Sequence, residues 1–100
     1  MSVGQQNEII YGTGFLTDVR KLPHEAQRKL SKLLVLIPHD LFDPYLHTKP
    51  LSPPLQGNFT FRIMRDWRVA FDLPQPHVVR LLIADNRKNI YQRLRRMLGV

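Results

Sequence analysis

The stretch Phe59–Phe71, FTFRIMRDWRVAF, constrains the fold more than any other part of the chain. Phe59, Phe61 and Ile63 alternate with Thr60 and Arg62, which is the period of a strand with one buried face. Beyond Asp66, Trp67, Val69 and Phe71 alternate with Arg68 and Ala70. Two such runs separated by a short polar break predict a β-hairpin. Cross-strand partners point to the same side of a sheet. The apolar pattern therefore sets the register: Phe59 opposite Phe71, Phe61 opposite Val69, Ile63 opposite Trp67, and so Arg62 opposite Arg68. This pairing leaves a three-residue turn, Met64–Asp66, whereas a two-residue turn pairs Arg62 with Val69 and mixes the faces. Like charges directly opposite one another cost some tenths of a kcal/mol. Stability gives no reason for the arrangement, and a bound polyanion does. The purely structural alternative is two side chains splayed into water with a carboxylate such as Asp72 nearby.

The hairpin needs a core to rest on. One hundred residues, 43% of them apolar, suffice for one core and one domain over residues 1–100. There is no cysteine, so disulfides and thiolate metal sites are excluded and a reducing compartment is expected. The run Leu33–Ile37 is far too short to span a bilayer. The opening MSVGQQNEII lacks the basic start and long apolar stretch of a signal peptide. A cytoplasmic protein is the expectation.

Charge narrows the choice of partner. The net charge is +7. Residues 1–50 hold six Lys/Arg against five Asp/Glu, and residues 51–100 hold nine against three. A basic half points to nucleic acid or to an acidic protein. Arginine outnumbers lysine ten to five. Solubility does not favour arginine, whereas phosphate and carboxylate contacts favour its planar fork.

Around the hairpin, Asn7–Tyr11 reads as a first strand. Phe15, Val19 and Leu22 recur at helical spacing. Pro23 then opens a second helix, whose apolar stripe is Ala26, Leu30, Leu33, Leu34 and Ile37 and which ends at Pro38. The two are expected to pack as an antiparallel helical hairpin. Residues 38–58 hold Pro38, Pro44, Pro50, Pro53 and Pro54 and read as a stiff connector with little regular structure. Strands are predicted at Phe59–Met64, Trp67–Leu73 and Val78–Ala84, with a turn at Pro74–His77. The last is nearly all apolar and is expected to be central. Ile90, Leu94, Met97 and Leu98 mark a C-terminal helix. The expected fold is α+β: an N-terminal helical hairpin on an antiparallel sheet of about four strands, closed by that helix.

The segment NRKNIY, residues 86–91, follows the last strand and brings Arg87, Lys88 and Tyr91 towards the hairpin. Three guanidiniums suit a phosphate or the dianionic state of phosphoryl transfer. A phenol among cations is a candidate proton carrier. LPHEAQRKL, KPL, LQGNFTFRI, DWRVAFDL and VVRLLIADNRKNIY follow, in that order, the pattern of the RelE/ParE superfamily of bacterial toxins, which the chain resembles over about residues 9–95.

The resemblance implies a toxin of a type II toxin–antitoxin system. RelE-like members are metal-independent endoribonucleases that cut mRNA, commonly at the 70S ribosome, leaving 2′,3′-cyclic phosphate and 5′-hydroxyl ends and stopping translation. An acidic cognate antitoxin covers the basic groove. Carried over by position, Arg68 stabilises the transition-state phosphate and Arg62 is a phosphate-binding cation. Arg87 holds the phosphate or supports the leaving group, and Tyr91 transfers protons or stacks on a base. Lys49, Arg65, Lys88 and Arg95 are candidate RNA contacts. The chain departs from the pattern in three places. Thr60 stands where some members place a lysine, the hairpin is shorter by about one residue, and no acid or histidine accompanies Tyr91. ParE-like members, which share the fold and poison gyrase, are the alternative, as is a non-catalytic basic binding module.

Other residues read as structural. His24 reads as a surface residue at a helix start, His39 and His47 lie in the connector with no metal-ligand spacing, and His77 reads as a turn residue, so no metal is expected; no small-molecule cofactor is expected either. Trp67 shares the parity of Ile63 and reads as a core anchor. Arg93, Arg95 and Arg96 read as a solvated helix face or as contacts to ribosomal RNA.

Overall fold

A computed structural model describes residues 6–100. Residues 1–5, part of the stretch read as lacking a signal peptide, lie outside the described residues. The order of elements is β1 (Glu8–Tyr11), α1 (Phe15–Lys21), α2 (His24–Leu34), a 3-10 turn at Pro44–Leu46, β2 (Lys49–Pro50), β3 (Asn58–Met64), β4 (Trp67–Gln75), β5 (Val78–Asn86) and α3 (Ile90–Leu98). No helix among the described residues is long and apolar enough to cross a membrane.

The five strands form one sheet in the order β1-β5-β4-β3-β2. It is mixed, which corrects the expected antiparallel sheet of about four strands. β1 runs parallel to β5, Glu8 opposite Val78, and the other pairings are antiparallel. The fifth strand is β2, hidden in the proline-rich connector. It is two residues long and pairs only with Phe59 and Thr60. Proline lacks a ladder donor, so Pro50 belongs on an edge strand, where it sits. β5 lies inside the sheet, as expected, between β1 and the middle strand β4.

Apolar residues leave the sheet on both sides. One core collects Phe61, Ile63, Val69, Phe71, Val79 and Leu81 beneath Phe15, Leu22, Ala26, Leu30 and Leu33 of the first two helices. The other collects Leu55, Ala70, Leu82 and Ile83 beneath Ile90 and Leu94 of α3. The expected helical hairpin does not form. α1 packs on β5 and α2 on β3, so each buries its stripe against the sheet. The sharp junction at Leu22–Pro23 is tied by the Gln27 side chain, whose Nε2 donates to the carbonyls of Val19 at 2.9 Å and Leu22 at 3.1 Å. An amphipathic stripe shows that a helix is covered and says nothing of what covers it.

β1 pairs only with Val78–Leu81, so the far end of β5 has an open edge. A carboxylate closes it. Asp18 of α1 is buried, and its Oδ2 accepts the Ala84 amide at 3.2 Å. Its Oδ1 accepts Arg93 Nη2 from α3 at 3.1 Å, while Arg93 Nη1 reaches Asp85 Oδ2 at 3.0 Å. Arg93 thus clasps α3 to the sheet edge and is no solvated helix face. Burial disfavours the Asp85 anion, yet hydrogen bonds from the Asn86 amide and from the Arg93 and Asn89 side chains hold its pKa below the usual carboxylate range.

Two outcomes follow for stability. Removing Arg93 strands the buried Asp18 charge. Arg93→Ala is expected to cost about 2 kcal/mol in urea unfolding, below the roughly 3–5 kcal/mol of a wholly buried pair because Arg93 is partly exposed. A carboxyl with a depressed folded pKa contributes stability above its unfolded pKa of about 3.9, and that stability is lost as pH falls through the folded value. Asp85→Asn is therefore expected to flatten the loss of melting temperature below about pH 4 relative to wild type.

Candidate functional site

The hairpin register is the expected one through most of its length: Phe59 pairs with Phe71, Phe61 with Val69 and Arg62 with Arg68. The turn differs. Met64 pairs with Trp67, and a bulge between Arg62 and Met64 leaves Ile63 without an opposite number. The loop is therefore the two residues Arg65–Asp66, not the three residues Met64–Asp66. A bulge inserts one extra residue into one strand. Here it reconciles a tight turn with an apolar register that a plain two-residue hairpin breaks. It lets Ile63 stay buried while Arg62 and Arg68 remain opposite.

Across the sheet the same row continues from Arg68 to its β5 partner, Asp85. That carboxylate is a natural counter-ion for Arg68, but its oxygens are already taken. Oδ2 accepts Arg93, and Oδ1 accepts the Asn86 amide at 2.6 Å. Asp72 is taken too, by Arg80 at the distant end of the hairpin, in a two-pronged pair with contacts of 2.9 and 2.6 Å. Asp72, the carboxylate expected to neutralise the paired arginines, is thus bound to Arg80, while Asp85 and Asp66, the acids that do lie near Arg68, form ion pairs with Arg93 and Arg87.

The half-buried Arg68 folds under the turn, where Nη1 donates to the carbonyls of Met64 at 2.8 Å, Arg65 at 2.8 Å and Trp67 at 3.2 Å. These bonds use Nη1 alone, leaving Nε and Nη2 as the part of the fork able to address a phosphate. Partial burial and the charge of Arg62 lower the proton affinity of Arg68. Tyr91 raises it, Arg87 lowers it and Asp66 raises it. The residue nevertheless stays charged at neutral pH. Arg62, Arg87 and Tyr91 are thus near enough to Arg68 to bear on its charge.

The loop carrying Arg87 is built by short bonds. The Arg87 amide donates to the Asp66 carbonyl at 2.8 Å, and Arg87 Nε lies 3.4 Å from Asp66 Oδ1, linking the loop to the hairpin turn. The Lys88 amide donates to Asn86 Oδ1 at 2.9 Å. Tyr91 stands at the start of α3, 37% exposed and open to a ligand.

The remaining candidates fall on two flanks. Lys49 and Tyr91 line one shallow cleft, and Lys88, Tyr91 and Arg95 line another, so three of the four proposed RNA contacts gather round the phenol. Arg65 lies apart, with Arg62, on the α2 side of the hairpin. β2 sets Lys49 directly opposite Thr60. A cation therefore stands beside the position where the chain lacks the lysine of some RelE-like members. Sequence reasoning missed Asp18, Asp85 and Arg93. The available signal was an acid closing a buried apolar strand, Ala84–Asp85, eight residues before an arginine. Among the described residues no group of three or more His, Asp or Glu is placed to hold a metal.

The geometry separates the roles of the two arginines in stability. Arg68→Ala removes the bonds to the turn carbonyls and is expected to lower the unfolding free energy by about 1–3 kcal/mol. Arg62→Ala only relieves a like-charge contact and is expected to leave stability unchanged or raise it by a few tenths of a kcal/mol. Chemical denaturation of the two variants distinguishes these signs.

No family model and no curated protein matches the sequence. Solved structures match the fold. YafQ from E. coli superposes with a TM-score of 0.70 at 21% identity, covering 86% of this chain and 99% of that one. The RelBE2 toxin–antitoxin complex from Mycobacterium tuberculosis gives 0.59 at 27% identity, covering 82% and 99%. A YoeB/ParE toxin from Agrobacterium tumefaciens gives 0.67 at 12% identity, covering 80% and 98%. With its mixed sheet, its two helices on one face and its arginine-bearing hairpin, the chain has the RelE/ParE-like fold of the YafQ, YoeB and RelE toxins.

Proposed function

We propose that the protein is the toxin of a type II toxin–antitoxin system and acts in the cytoplasm as a metal-independent endoribonuclease on mRNA at the ribosome. The observation that carries this reading is the pairing of Arg62 and Arg68 with their neighbouring carboxylates engaged elsewhere, and with the Arg87 loop tied to the hairpin turn beside them. In the proposed reaction the 2′-oxygen of one nucleotide attacks the adjacent phosphorus and the 5′-oxygen of the next leaves. The products are a 2′,3′-cyclic phosphate and a 5′-hydroxyl. Negative charge grows on the non-bridging oxygens, where Arg68, Arg62 and Arg87 stabilise it. One proton leaves the 2′-hydroxyl and one reaches the departing oxygen. Tyr91 and Lys49, which line one cleft, are the groups able to carry them. At rest, carboxylates of an acidic antitoxin occupy the same cations. The similar RelBE2 structure is described as a toxin–antitoxin complex, and that supports such a partner.

The test is cell-free translation of a defined message with mapping of RNA 5′ ends. Wild type is expected to produce new ends in the presence of ribosomes, and Arg62→Ala to reduce them by about 10²–10³-fold, the size of effect seen when one transition-state donor is removed. Arg62 is the informative position because its loss is expected to leave the fold intact. An intact message with translation unaffected overturns the reading in favour of a gyrase poison, for which DNA supercoiling is the assay.

A further inference from the structure

On the far side of the hairpin from Tyr91 lies a cleft of 610 Å³ between α2, the 3-10 turn and β3. Arg28, Lys29 and Lys32 of α2 form one wall, Arg62 and Arg65 of the hairpin form the other, and Tyr45 stands at the rim. Only one carboxylate, Glu25, lines it. The ion pairs among the described residues take Arg80, Arg87 and Arg93, and none takes a cation of this cleft. Five permanent charges thus face one another with a single acid between them, an arrangement that the fold does not require.

We infer that this cleft is a second binding groove for single-stranded RNA, holding the flank of a strand whose phosphate sits at Arg62 and Arg68. The inference rests on the reading of the protein as a ribonuclease. Continuity is the first argument. Arg62 belongs to both places: it stands opposite Arg68 on the phosphate face and lines the cleft. β2 covers only Phe59 and Thr60, so no strand walls off β3 at Arg62. A polynucleotide held there has an open path from one region to the other. The second argument is the aromatic ring. Tyr45 is 72% exposed beside the cations, although a phenol of this size is more stable covered. Cations that follow a backbone, with an exposed ring on which a base can stack, are what sequence-independent binding of single strands uses. His47 lines the same cleft with φ of 50°, a left-handed conformation uncommon outside glycine.

The test uses fluorescence anisotropy with 2′-O-methyl oligouridylates, which lack the attacking hydroxyl and stay intact. A probe of about four nucleotides reaches the Arg62–Arg68 face alone, and one of about twelve also reaches the groove. The longer probe is expected to bind wild type at least tenfold more tightly. The triple variant Arg28→Gln/Lys29→Gln/Lys32→Gln is expected to lose that advantage while binding the short probe as wild type does. Its slope of log affinity against log salt for the long probe is expected to fall by about 0.7 for each phosphate that is no longer neutralised. Tyr45→Ala is expected to weaken the long probe about 5–150-fold, the range for one stacked base. Equal binding of both probes by wild type, or an unaltered long-probe affinity in the triple variant, overturns the groove and leaves the ribonuclease reading standing. Failure of wild type to bind either probe also overturns the groove, and the translation assay separately decides the ribonuclease reading. Binding of an acidic peptide that depends on Arg28, Lys29 and Lys32, without the gain for long RNA, assigns the cleft to a protein partner and overturns the inference as stated.

Discussion

The contact between Arg62 and Arg68 is the one that the rest of this structure arranges itself around. It is unfavourable in isolation, and three devices hold it in place. The bulge at Ile63 sets the register. Three turn carbonyls tether Nη1 of Arg68. Arg93 withholds Asp85, which otherwise neutralises its cross-strand neighbour. Two of these devices lie in the hairpin and the third on α3, so the site is not a product of the hairpin alone. Repulsion that the native state tolerates in this way is stored where a polyanion can relieve it.

Much of this is legible in the residues themselves. A buried strand face has a period of two, so the alternation of Phe59, Phe61, Val69 and Phe71 determines which residues meet, the two arginines included. The loop length escapes such reasoning because a bulge changes the residue count without disturbing parity on either side. The stripe of α2 is buried at Ala26, Leu30 and Leu33, as its spacing predicts, but its partner is the sheet and not α1. β2 is invisible in the sequence because two residues, one of them proline, give no periodicity. Its effect is large all the same, since it places Lys49 opposite Thr60. Arg87 and Tyr91 come near the hairpin because they directly follow a strand of the same sheet, which the order of elements alone implies. The clasp formed by Asp18, Asp85 and Arg93 joins residues from opposite ends of the chain, which no local pattern encodes.

The two sides of the sheet divide the labour. The face under α1 and α2 carries most of the bulky apolar residues. The face under α3 carries a smaller core, which leaves room beside it for the basic row. α3 is fastened at its start by Ile90, in its middle by Leu94 and at the sheet edge by Arg93. Tyr91 is set between two of these fixings. Its exposure and its placement are thus compatible: the ring is free while the backbone under it is not.

The parallel pairing of β1 with β5 bears on when the molecule comes into being during synthesis. Among the described residues β1 is the first strand made and β5 the last, so the edge of the sheet cannot close until the chain has been made through β5. Pairings between such distant residues are slow to form, because loop closure must precede any gain from the contact. Arg87 and Tyr91 emerge later still, after the final strand. A nascent chain that already displays Arg62 and Arg68 therefore has two of the three guanidiniums on an unfinished sheet. The complete cluster therefore forms only after the sheet has closed and the residues beyond β5 have been made.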